Sequence, residues 1–189
     1  MALTDSIASI EGKFTVLGKI EFRGETTLIV NREAILAICR HCKEELGFDF
    51  LIDVCSVDNF GQEPRFEMIY ELSSIAAEEH LRLKCAISED EPSVDSVTGI
   101  WPTANWHERE IYDMMGISFT GHPDLRRILM WDGYPYYPLR KDFPLAGKPS
   151  EVPEVAFTKP APLEGGPFVT VPTTATTKDR EPRARRLDD

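Results

Sequence analysis

Apolar and polar positions alternate most regularly from Arg65 to Leu72, where Phe66, Met68, Tyr70 and Leu72 share one side of a period of two. That period marks a strand with one buried face. Asp49 to Val57 and Leu81 to Ile87 are also strand-like, and Asn59-Phe60-Gly61-Gln62-Glu63-Pro64 supplies the turn after the first of them. Nearer the N-terminus, Phe14 to Phe22 and Thr26 to Val30 are β-prone runs joined by Arg23-Gly24-Glu25, a glycine-bearing connection that suits a hairpin. The period then changes. Ile35, Leu36, Ile38, Cys39, Cys42 and Leu46 recur at helical spacing, with Asn31 as N-cap and Gly47 as stop signal. A second helix is predicted from near Pro102 to Met115, with proline in its first turn and Gly116 past its end. A short helix from about Asp5 to Ile10 completes the set.

The order helix, two strands, helix, three strands, helix predicts an α+β fold, a mixed β-sheet covered by helices, followed by an irregular extended C-terminal segment. Residues 1–116 are expected to form the α+β domain. Residues 117–144, broken by glycine, proline and aromatics and densest at Trp131 to Pro138, read as a partner-contacting loop segment. Residues 145–189 hold seven of the fourteen prolines and only scattered apolar residues, so they cannot close a core of their own. That tail is expected to lie on a partner and to order only on assembly.

A chain of 189 residues suits one domain that folds without disulfide staples. Its net charge of −11 is concentrated in residues 41–113, which carry seventeen acids against five bases, while the remainder is close to balance. Such an acidic stretch repels phosphate backbones, and there is no basic stripe with interleaved aromatics, so nucleic acid is excluded as a ligand class. No apolar window approaches a membrane span and no basic-then-apolar leader opens the chain. Cys39, Cys42, Cys55 and Cys85 are therefore expected to be reduced thiols.

Charge is densest in Glu108-Arg109-Glu110-Ile111-Tyr112-Asp113-Met114-Met115-Gly116 and the following Gly121-His122-Pro123-Asp124-Leu125-Arg126-Arg127. His107-Glu108 opens like a zinc-protease helix, but the second histidine that chemistry needs at i+4 is replaced by Ile111. Glu110 and Asp113 share a helix face where two carboxylates can hold a proton or a cation. Arg109 stands i to i+4 from Asp113, with Arg126 and Arg127 downstream, and carboxylates held between guanidiniums stay ionised and structural. The favoured reading is a salt-bridge network locking the helix to the loop after it. The competing reading from another class is a stand-alone metal-dependent hydrolase built on Glu108, Glu110, Asp113 and His122.

Cys39-Arg40-His41-Cys42 is a CxxC, but it begins well inside the predicted helix rather than at its N-terminus, where the helix dipole would activate a thiol. No second CxxC supports a cluster, and the glycines form no phosphate loop. His122, Arg126, Arg140 and Lys141 form a cationic set partly balanced by Asp124, Asp132 and Asp142, better suited to docking than to chemistry.

The run Glu108-Arg109-Glu110, Asp113-Met114-Met115, His122, Arg126, Ile128-Leu129 resembles the signature of the 30-kilodalton subunit family of respiratory complex I, the C subunit of NADH-quinone oxidoreductase. Trp106, Asp58, Arg65-Phe66, Tyr70 and the run Pro138-Leu139-Arg140-Lys141-Asp142-Phe143-Pro144 agree with it, so the likeness spans roughly residues 10–145. The resemblance implies a non-redox subunit of the peripheral arm of a proton-translocating, membrane-bound enzyme, on the cytoplasmic face. It implies no cofactor in this chain, with iron-sulfur clusters and quinone in neighbouring subunits. It also implies a principal partner, the D subunit of the 49-kilodalton family, together with other peripheral-arm subunits. Trp106, Glu108, Arg109, Glu110, Asp113, His122, Arg126, Arg140, Lys141 and Asp142 are the expected motif and docking residues. Equivalent subunits of ferredoxin-linked complexes and membrane-bound hydrogenases fit the same signature.

Overall fold

The computed structural model describes residues 2–145. They fall into two compact units, one ending at Asp132 and the other starting at Gly133. The proline-rich tail beyond Leu145 lies outside the described residues.

In the first unit, Leu3–Lys13 forms helix α1, longer than the predicted Asp5 to Ile10. The Phe14 amide still bonds the Ile10 carbonyl at 2.8 Å, so strand β1 begins only at Val16 and runs to Phe22. Arg23 and Gly24 turn the chain into β2, Glu25–Val30, both with positive φ (52° and 83°). This primed geometry suits the twist of a two-residue hairpin. The predicted cap at Asn31 differs in detail. Asn31 is extended, but its side chain makes no capping bond; its carbonyl accepts the Ala34 amide at 3.1 Å and starts a single 3-10 turn, Arg32–Ala34. Helix α2 follows at Ile35–Glu44 and ends near Gly47, whose φ of 79° lets the Phe48 amide return to the Cys42 carbonyl at 3.0 Å.

Strands β3 (Phe50–Asp58), β4 (Phe66–Ser74) and β5 (Glu79–Ile87) form an antiparallel meander. The five strands assemble in the order β1-β2-β5-β4-β3, with β2 parallel to β5, which makes the sheet mixed as expected. Two further strands lie outside the sequence prediction. β6 (Ser93–Asp95) and β7 (Ser118–Thr120) pair in parallel as a separate ribbon, Val94 opposite Phe119, on either side in sequence of helix α3, Ala104–Met115. Three residues each are too few to carry a period.

Phe66, Met68, Tyr70 and Leu72 of β4, Leu81, Leu83, Cys85 and Ile87 of β5, and Leu28 and Val30 of β2 point to one face. Ile7 and Ile10 of α1 and Ile35, Ile38, Cys39 and Cys42 of α2 join the same core. The opposite face carries charge: Arg82 pairs with Glu71 and with Glu25, and Lys84 with Glu67 at 3.0 Å. Cross-strand pairs of this kind fix register more than they stabilise.

The β3–β4 turn is held by Arg65, only 2% exposed, which donates to both oxygens of the buried Asp58 at 2.8 and 2.9 Å and to Glu89 at 2.5 Å. Its guanidinium also sits 4.9 Å from the Phe60 ring and 5.0 Å from the Phe66 ring. Removing one member of such a pair leaves a buried charge behind. Arg65→Met is therefore expected to destabilise the full-length chain by about 3–5 kcal/mol in urea unfolding, and Arg65→Met combined with Asp58→Leu to recover much of that loss. A double variant as unstable as the single one would contradict this account.

Candidate functional site

Helix α3 is set between two loops that it holds with opposite groups. Gly116, with φ of 73°, closes it by returning its amide to the Tyr112 carbonyl at 3.0 Å. Along the helix, Ala104, Glu108, Ile111 and Met115 follow helical spacing and are buried, as are Arg109, Asp113 and Met114. Three charged residues of the densest motif thus lie inside the protein, which requires each to have partners.

Asp113, fully buried, receives donors on both oxygens. Arg127 donates to Oδ1 at 2.6 Å, and the amides of Ile128, Leu129 and Met130 converge on Oδ2 at 3.0, 2.7 and 2.8 Å. Burial works to raise its pKa, but these donors prevail and hold the carboxyl below its ordinary value. Arg109 takes the other polarity of the same loop, donating to the carbonyls of Arg126 at 3.2 Å and Arg127 at 3.4 Å, with its guanidinium 5.4 Å from the Trp106 ring. The expected lock of helix to loop is present, but its wiring is different. No Arg109–Asp113 ion pair forms; Asp113 is paired by Arg127, and Arg109 is spent on backbone oxygens.

Glu108 faces the loop before the helix. Its Oε1 accepts the Val97 amide at 2.7 Å and its Oε2 the Ser96 hydroxyl at 2.6 Å. Burial pushes this carboxyl up to about 7, against the pull of the Ser96 and Val97 donors. Ser96, Val97 and Thr98 escape sequence reasoning, because a Ser-Val-Thr step in an irregular stretch carries no pattern that points at a glutamate one helix away.

The remaining motif residues face outward or bond locally. Glu110 is exposed while Asp113 is buried, so the shared carboxylate face expected at i, i+3 does not exist. Trp106 is 62% exposed and Leu129 61%. Arg126 is exposed and pairs with Asp124 at 2.8 Å. His122 lies with Nε2 3.4 Å from the Asn105 carbonyl, while its Nδ1 accepts the Asp124 amide at 3.0 Å, which selects the neutral Nε2–H tautomer. Burial, followed by smaller opposing effects, lowers its pKa. Glu108, Glu110, Asp113 and His122 therefore point to four different places. Among the described residues no three His, Cys, Asp or Glu side chains are grouped to hold a metal.

In the second unit, Arg140 lies 4.6 Å from the Tyr137 ring, and Lys141 and Asp142 are exposed in the turn that follows. Tyr136 packs between Tyr134 and Phe143, with ring centroids 5.6 and 6.0 Å away. The CxxC is internal to α2: Cys39 and Cys42 have no exposed surface, and burial drives the Cys39 thiol far up and the Cys42 thiol up to about 12. Neither is a thiolate at neutral pH.

A mixed sheet covered by helices, with a charged helix whose buried groups bind its own flanking loops, defines an α+β module stiffened around α3. The family model for the respiratory-chain NADH dehydrogenase 30 kDa subunit matches residues 28–149. The chain belongs to that family, as the motif implied. It is 48% identical over 148 residues to the C subunit of NADH-quinone oxidoreductase from Geotalea uraniireducens, covering 77% of this chain and 90% of that one. It is 46% identical over 164 residues to the second of the two numbered C subunits of the same enzyme from Rhizobium meliloti, covering 86% and 88%. Among solved structures, the trypsin-resistant fragment (1-134) of Nqo5 aligns with a TM-score of 0.59 at 30% identity, covering 66% of this chain and all of the fragment. A chain of an archaeal respiratory membrane complex, the membrane-bound sulfane sulfur reductase, shares the fold with a TM-score of 0.65 at 24% identity, covering 76% and 87%. Membership places the chain in a multisubunit respiratory complex of the NADH-quinone oxidoreductase type. No helix among the described residues is long and apolar enough to cross a membrane.

Replacing Asp113 by Ala should cost about 3 kcal/mol at neutral pH, because Arg127 and three amides lose their acceptor together. Since the folded carboxyl lies below its unfolded value, its contribution is present above the unfolded value and lost as pH falls through the folded one. The difference between wild type and Asp113→Ala should accordingly shrink in strong acid. Amide exchange at Ile128, Leu129 and Met130 should accelerate in the variant, and unchanged exchange there would refute the lock.

Proposed function

We propose that the chain serves as a non-redox structural subunit in the peripheral arm of a proton-translocating NADH-quinone oxidoreductase. In this reading it lies on the cytoplasmic face of the membrane and supports the 49-kilodalton partner beside the quinone site. The iron-sulfur clusters and the quinone belong to neighbouring subunits, and the chain alone carries no catalytic residues. One observation carries the reading: the buried charges of the family motif are consumed in holding the loops on either side of α3, while Trp106, Glu110 and Leu129 are left on the outside. A tryptophan and an aliphatic residue presented by a rigid backbone have the composition of a docking anchor. Arg126 with its Asp124 partner, His122, and Arg140 with Lys141 and Asp142 supply polar surface of the kind that rims such contacts. The proline-rich 145–189 segment is assigned to the same role, laid along the partner.

Two measurements test this. Purification of the tagged chain from its native membrane should recover a protein of the 49-kilodalton family with flavin- and cluster-bearing subunits; recovery with a nickel-bearing hydrogenase partner instead would assign a different electron donor. Trp106→Ala should leave the isolated chain within about 0.5–1 kcal/mol of wild type yet weaken association with the 49-kilodalton partner by about 2 kcal/mol, roughly thirtyfold. Unaltered association and quinone reduction in Trp106→Ala and Glu110→Lys would remove the docking role.

A further inference from the structure

Three acidic side chains are buried among the described residues: Asp58, Glu108 and Asp113. Two of them are neutralised by a guanidinium, Asp58 by Arg65 and Asp113 by Arg127. Glu108 is not. Its partners are a neutral amide and a neutral hydroxyl. The groups that face this region from the other elements do not supply a cation. Cys39 of α2, Tyr70 of β4 and Cys85 of β5 are protonated, their pKa values raised first of all by burial, and Asp95 at the end of β6 is itself acidic. On α3, Arg109 is turned to the carbonyls of Arg126 and Arg127, and His107 to Asp53 at 3.0 Å. Lys43 is committed to the Ile100 carbonyl at 3.0 Å.

The hydroxyls beside Glu108 form a chain toward the surface. Ser96 Oγ lies 2.6 Å from Glu108 Oε2 and 2.8 Å from Thr98 Oγ1, and it accepts the Thr98 amide at 3.2 Å. Ser96 is buried, whereas Thr98 is partly exposed. Either hydroxyl can donate in the Ser96–Thr98 contact.

We propose that Glu108, Ser96 and Thr98 form an internal proton-binding site, loaded from solvent through the two hydroxyls. With the carboxylate ionised, Thr98 donates to Ser96 and Ser96 to Glu108. A proton delivered by water to Thr98 Oγ1 displaces the Thr98 proton to Ser96 Oγ, and the Ser96 proton passes to Glu108 Oε2. The carboxylate becomes a carboxylic acid, each hydroxyl ends with one proton, and every donor in the chain now points the opposite way. Glu108 then donates to Ser96, Ser96 donates to Thr98, and Oε1 keeps the Val97 amide. Both states are fully hydrogen-bonded, so the site switches without moving a heavy atom. Occupancy sets only whether the contact between α3 and residues 96–98 carries a buried charge.

The full-length chain with 13C-labelled glutamate carboxyls tests this by NMR titration. One glutamate signal should titrate near neutrality, well above the rest; it should be absent from Glu108→Gln and move further upward in Ser96→Ala, which removes a donor to the ionised form. The thermal midpoint gives a second readout. Because the folded carboxyl binds its proton more tightly than the unfolded one, stability is fully present below the unfolded value and falls as pH rises to the folded value. That component should vanish in Glu108→Gln. Should Glu108→Gln fail to fold, the Ser96→Ala shift alone decides. All glutamates titrating in the ordinary carboxylate range, or a neutral-range signal unmoved by Ser96→Ala, would overturn the proposal.

Discussion

A carboxylate with no exposed surface has to be satisfied from within, and Asp113 dictates the course of the chain on that account. Burying it on α3 obliges the segment after β7 to return and offer three successive amides and one guanidinium. Once those amides are turned inward, the carbonyls just before them at Arg126 and Arg127 need donors too, and Arg109 is one helical turn away from Asp113 to provide them. The turn at Gly116, the short β7 strand and the outward aim of Leu129 accompany this arrangement. A dense charge motif here serves backbone geometry.

The same division recurs on the scale of the sheet. One face is apolar and buried under α1 and α2; the other holds Arg82, Lys84, Glu67, Glu71 and Glu25 in cross-strand pairs. Much of the negative charge of residues 41–113 is thereby distributed over surface positions and three internal carboxyls of unlike character. Asp58 and Asp113 are fixed as anions by arginine, and Glu108 is surrounded by neutral groups. Three acids of one fold thus meet three different electrostatic conditions.

Elements whose signals are local were legible in the sequence. The β4 alternation, the helix between Pro102 and Gly116, and the Arg23-Gly24 hairpin each depend on residues within a few positions of one another. Strands β6 and β7 depend on pairing with each other across a whole helix, so nothing within Ser93–Asp95 or Ser118–Thr120 announces them. The helix-to-loop lock was readable as a role but not as a circuit. Spacing places Arg109 one turn before Asp113, yet only the path of the returning loop decides that Asp113 takes Arg127 while Arg109 takes carbonyls. For the same reason spacing groups Glu110 with Asp113, although the helix turns one to solvent and the other to the core. Family membership was legible because the motif residues are contiguous, unlike the contacts they make.

The parallel pairing of β2 with β5 has a consequence for how this protein reaches its native state. Residues of β3, β4 and β5 meet their partners through short connections, whereas Leu28 meets Leu83 only after α2 and the whole meander have been threaded between them. Closing so long a loop costs entropy before any contact repays it. The N-terminal hairpin is therefore the last strand pair that the sheet can accept, and until it docks, the β5 edge, with Leu83 and Cys85, is an open template for another strand. A nascent chain is most exposed to mispairing in that interval, after the meander has formed and before its own first hairpin has come home.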